Sequence, residues 1–139
     1  MRRTDVLPLA AGVLLAAVFV WGGITESSPS AGGDDSTSAI VTLQVVNETY
    51  KVELTDPADI ATAEQLLAGA LGTKIPVGAV VRGDPGPNAP WTWHIDPATF
   101  QWADSTTEVC DGLPSFVEDE TVTSPDYCPW SAKVIAVDR

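Results

Sequence analysis

The chain has 139 residues, with 19 Asp and Glu against 7 Lys and Arg, for a formal charge of -12. A hydrophobic content of 45% excludes a wholly disordered chain, and the length allows one small core. The acid excess excludes sequence-neutral binding to nucleic acid, since that affinity comes from Lys and Arg displacing phosphate counterions.

Residues 1–26 read as an export segment. Arg2 and Arg3 precede residues 6–25, which hold no charged side chain. That stretch is longer than the roughly 7–15 apolar residues of a cleaved signal and close to the roughly 20 needed to span a bilayer. Trp21 is an interfacial anchor type, and Ser28-Pro29-Ser30 makes only a poor cleavage site. A cleaved signal peptide and an uncleaved membrane anchor therefore both fit. In either case Arg2 and Arg3 stay in the cytoplasm and the remainder is expected outside, secreted or tethered to the outer face of the membrane. Residues 27–38 form a Ser, Gly and Asp tract with nothing to bury, a flexible linker. Residues 34–139 carry 17 acids and 5 bases, so the whole net charge belongs to the exported part.

The exported domain, 39–139, opens on two alternating runs. Val41, Leu43 and Val45 alternate with polar residues, as do Tyr50, Val52 and Leu54, which is the period of half-buried strands. Pairing Val45 with Tyr50, Leu43 with Val52 and Val41 with Leu54 predicts a hairpin with a four-residue turn over 46–49. Asn47-Glu48-Thr49 also fits a glycosylation sequon, but turn chemistry is the plainer reading.

A helix is expected next. Asp56 suits the N-cap, Pro57 the first helical position and Asp59 the positive end of the dipole. Ile60, Ala63, Leu67, Ala70 and Leu71 form an apolar stripe that should cover the hairpin, with Gly72 as the stop. On this reading Leu67→Asp unfolds the domain.

Residues 77–82 read as a strand and 83–90, with three prolines and two glycines, as a loop. Trp91, Trp93 and Ile95 alternate with polar residues, Phe100 and Trp102 repeat the pattern, and 106–110 and 132–137 complete the strand-like segments. The expected class is α+β: a small antiparallel sheet of about six strands with one covering helix and one disulfide. The bridge joins Cys110 and Cys128, the only two cysteines, as an even count in an oxidising compartment favours. With His94 they make at most three soft ligands, which excludes a zinc finger.

Between residues 83 and 132 there is no Lys or Arg, while nine acids and four of the five tryptophans fall there. Trp93 and Trp102 are assigned to the core, because large rings bury most of their area in a small domain. Trp91 and Trp130 adjoin prolines and are candidates for a binding surface, with His94, Asp96, Asp111 and Glu118 beside them. Alanine at Trp91 or Trp130 is expected to weaken binding without unfolding. Asp111, Glu118, Asp119 and Glu120 could supply oxygens to calcium, although no EF-hand spacing is present. Otherwise no cofactor or metal is expected. His94 with a carboxylate could serve a hydrolase, but no nucleophile motif accompanies it, and no catalytic residue is assigned.

Leu54-Thr55-Asp56-Pro57, then Trp91-Thr92-Trp93-His94-Ile95-Asp96-Pro97, Glu108-Val109-Cys110-Asp111-Gly112 and Cys128-Pro129-Trp130-Ser131 occur in that order. In these strings the chain resembles small exported actinobacterial proteins, sometimes labelled calmodulin-binding-like, that share a domain with an amoebal protein. The resemblance spans about residues 43–137 and implies an exported, disulfide-linked domain of unassigned biochemistry. The expectation is an extracytoplasmic binding domain. It would present an aromatic and acidic loop surface to a cationic protein partner or a sugar, as a monomer that meets the membrane only through its first segment. The alternatives are a small secreted hydrolase using His94 and a calcium-stabilised structural module.

Overall fold

The computed structural model describes residues 37–139. The expected leader or anchor, and the spacer up to residue 36, lie outside the described residues.

The first strands, β1 (Ala39–Val45) and β2 (Glu48–Leu54), form the expected antiparallel hairpin. Its register differs from the sequence expectation by two residues: Val45 pairs with Glu48, Leu43 with Tyr50 and Val41 with Val52. The loop is therefore two residues, Val46 and Asn47, the length that best matches strand twist. Side chains alternate with period two, so a slip of two keeps the same set facing inward. Val41, Leu43, Val45, Tyr50, Val52 and Leu54 are all buried. The tighter turn draws Glu48 into the strand, where its carboxylate accepts hydrogen bonds from the Ser115 amide and hydroxyl, each at 2.8 Å.

Helix α1 (Pro57–Leu67) begins as the sequence predicts, the Asp56 side chain accepting from the Ala58 amide at 2.8 Å. It ends earlier. Gly69, at φ 76, provides the left-handed exit expected of Gly72. The inward face is Ile60 and Ala63, with Leu66 half-buried, while Leu67 is 45% exposed and Leu71 37% exposed. The expectation that Leu67→Asp unfolds the domain is therefore overturned.

Among the described residues seven strands, close to the six or so expected, make two antiparallel sheets in place of the single sheet expected. In the first, β2, β1 and β7 (Lys133–Asp138) lie side by side, with an irregularity in β7 opposite Thr42 and Leu43. The second is built on β3 (Ile75–Arg82), which pairs along its length with three partners. These are β5 (Gln101–Ala103) at Ile75 to Val77, β6 (Asp126–Tyr127) at Gly78 and Ala79, and β4 (Trp93–Ile95) at Val80 to Arg82. A second helix, α2 (Pro114–Glu118), goes beyond the single helix expected. Residues 106–110, expected as a strand, instead end in a single 3-10 turn, Glu108–Cys110. The Gly83–Pro90 loop, expected to be irregular, contains one such turn at Gly86–Asn88.

Three rings join the sheets. Tyr50 of β2 lies 5.8 Å from Trp93 and 5.1 Å from Tyr127, and the last two meet edge to face at 5.6 Å. Beside them the buried Asn88 accepts from the Lys51 amide at 2.7 Å and donates to the Trp93 carbonyl at 2.8 Å. One amide side chain thus satisfies a backbone group of each sheet where the sheets cannot pair with one another.

Candidate binding groove

Cys110 and Cys128 form the expected disulfide, with Cα atoms 5.0 Å apart. The Cys128 amide also donates to the Cys110 carbonyl at 2.8 Å, so the bridged segments run together. This clip fixes Trp130 from two sides. Asp111 accepts from the Trp130 amide at 2.8 Å, and the indole Nε1 donates to Thr106 Oγ1 at 2.7 Å. The ring remains 43% exposed.

Trp130 forms one wall of a groove of about 460 Å³, within the general range of small-molecule sites. The other walls include Leu66 of α1, Leu71 beyond it, Trp102 of β5, Lys74 and Lys133. Trp102 is half-buried; its Nε1 donates to the Asp59 carbonyl at 3.1 Å and its ring meets Phe100 edge-on. Both indoles therefore spend their only polar atom inside the protein. What they offer the groove is carbon surface held at a fixed angle. Lys74 at the rim holds the Asp104 carboxylate at 2.6 Å, and no Asp or Glu lines the groove.

The remaining candidates lie elsewhere. Trp91 stacks on Trp93 at 6.5 Å and donates from Nε1 to the Thr49 carbonyl at 2.8 Å, so its half-buried ring extends the core. His94 Nδ1 is hydrogen-bonded with the Asp84 carbonyl oxygen and borders a smaller hollow of about 180 Å³ with Lys51 and Glu53. Asp96 accepts from the Ala98 amide at 3.0 Å, capping the turn Pro97–Thr99. No hydrogen bond joins Asp96 to His94 among the described residues.

The acids considered for calcium serve separate backbone amides. Asp111 also accepts from Gly112, and Asp119 accepts from Thr121 at 2.9 Å. Hydrogen bonds from Thr121 hold the Asp119 carboxyl below its usual range. Glu118 accepts from the Thr92 amide at 2.9 Å and hydroxyl at 2.7 Å. The Thr92 hydroxyl, then its amide, and more weakly Arg82 hold the Glu118 carboxyl below the ordinary carboxylate range. Glu120 sits at φ 65 on the following turn. Among the described residues no three His, Cys, Asp or Glu side chains are grouped to hold a metal ion.

Sequence reasoning thus names Trp130 and misses its partners. It places Trp102 in the core, and Leu66, Lys74 and Lys133 carry no motif. The available signal is scarcity: residues 37–139 contain 5 basic residues, and two of them line this groove.

Residues 37–139 match the family model described as the BP-74 N-terminal domain, a span that includes the disulfide and every groove residue. No curated protein and no solved structure matches the chain. With the match covering the whole described fold, and more than half of the sequence, the chain belongs to the BP-74 N-terminal domain family.

Proposed function

We propose that this protein is an extracytoplasmic binding domain, without a catalytic role, that holds a saccharide against Trp102 and Trp130. The observation that carries the reading is the disposition of the two indoles. With each N–H bonded internally, the rings present apolar faces, and a sugar ring has a matching C–H face with hydroxyls at its edge. A ring fixed before binding loses little side-chain entropy on binding, so the contact favours affinity. The disulfide supports the extracytoplasmic placement, since such bridges persist in oxidising compartments.

Of the two partners expected from the sequence, the sugar is preferred over a cationic protein. Asp96, Asp111, Glu118 and Asp119 are engaged with backbone amides, whereas the open tryptophan stands among lysines. The reading is tested by indole fluorescence titration against a panel of neutral and uronate-containing hexasaccharides. At least one hexasaccharide should bind, and Trp130→Ala should weaken that binding about tenfold or more while the melting temperature stays within a few degrees. A panel with no binder would sink the reading.

A further inference from the structure

The groove departs from the charge of the strongly acidic domain that holds it. Residues 37–139 hold 15 Asp and Glu against 5 Lys and Arg, yet the groove is lined by two lysines and no acid. Three of the acids around it are already occupied. Asp104 is held by Lys74, Glu64 by Arg139 at 2.9 Å, and Asp111 by the Trp130 and Gly112 amides. Lys133 pairs with Gln44 through the strand at the start of β7, and its ammonium group has no hydrogen-bond or ion-pair partner among the described residues. At physiological salt, charges more than about 8–10 Å away are largely screened, so a ligand inside the groove experiences the lysines more than the distant surface acids.

From this we infer that the saccharide is an acidic one, a glycan bearing carboxylates, and that Lys133 is the residue that reads the charge. The inference rests on the groove being a saccharide site. The groove already contains an example of the chemistry, since Lys74 grips a carboxylate at its rim. A sugar carboxylate projecting from a ring stacked on Trp130 would find Lys133 unpartnered on the adjoining wall and Lys74 available by exchange with Asp104. Asp104 is 83% exposed at its side chain and gives up little burial when displaced. The phosphate fork geometry that favours Arg is not offered here, because both cations are lysines.

The test compares cellohexaose with the β-1,4-linked glucuronate hexamer, which differs at C6 alone, by calorimetry and indole fluorescence on the folded protein. The glucuronate hexamer should bind about tenfold or more tighter, as a charge-assisted contact implies. Lys133→Gln should weaken the glucuronate hexamer far more than cellohexaose and so erase most of that preference. Asp104→Asn, which frees Lys74, should tighten the acidic probe and not the neutral one. Equal or tighter binding of cellohexaose, or a preference that survives Lys133→Gln, overturns this inference and leaves the saccharide reading standing. Failure of both hexamers to bind overturns this inference, and binding indifferent to Trp130→Ala overturns the saccharide reading with it.

Discussion

Val46 is the residue most at odds with its backbone. It takes φ 58 in the hairpin turn although it is β-branched, and its side chain is 68% exposed, so no packing compensates. The left-handed conformation costs such a residue about 1–2 kcal/mol, and glycine avoids that at a smaller entropic cost. Val46→Gly should therefore raise stability by about 0.5–1 kcal/mol, seen as a melting temperature a few degrees higher. The same residue explains why the register is not legible in advance: a valine gives no turn signal, so a four-residue loop looks equally sound. Trp93 shows the opposite balance. Its buried Nε1 has no hydrogen-bond partner, a cost of about 1–3 kcal/mol. Burying a ring of 150–250 Å² returns about 4–6 kcal/mol, so the position is still net stabilising. Glu118 contributes in a pH-dependent way. Because its folded-state carboxyl is held below the ordinary value, its stabilisation is complete above about pH 4.3 and is lost as pH falls through the lowered value. Glu118→Gln should melt below the wild type at pH 7, and the gap should narrow in melts run at successively lower pH from 4 downward.

At the scale of elements, α1 shows how far a pattern reaches. Its start is legible because Asp56-Pro57 gives both a cap and a fixed φ, and each acts locally. Its end is not, since two glycines three residues apart are equivalent candidates and only the packed structure selects Gly69. The inward stripe moves with it, from Leu67 to Leu66. Ile60→Asp should abolish cooperative unfolding, because it places an unpaired carboxylate at a position 2% exposed. Leu67→Asp should keep a cooperative melt; circular dichroism of the two variants separates the stripes. The strands of the second sheet are two to three residues long apart from β3, too short for alternation to declare itself. Asn88 is invisible for another reason. An asparagine in a Pro-rich loop reads as turn chemistry, and its use by two sheets depends on where β2 and β4 end up.

For the whole molecule, the sequence conveys the class and the bridge but not the division into two sheets, because that division depends on long-range pairing. The groove is half legible for the same reason: Trp130 is marked by its neighbours Cys128 and Pro129, whereas Lys74 and Lys133 meet Trp102 only through the fold. The bridge contributes to stability and to the groove at once. On the chain-entropy account, closing a loop of this size is worth about 3 kcal/mol. The double variant Cys110→Ser and Cys128→Ser should lose about that much in denaturant titration. It should also bind the preferred hexasaccharide more weakly under conditions where it remains folded, since Thr106 and Asp111 would hold the Trp130 ring less firmly.

The pairing order sets a schedule for assembly. Strand β3 finds its last partner only at Tyr127, and β1, the earliest strand, is flanked on its second side by β7. A chain emerging amino end first can close the β1–β2 hairpin at once, but both sheets must wait until nearly all of the domain has arrived. Such a domain commits to its final shape late, once its last strand has been made.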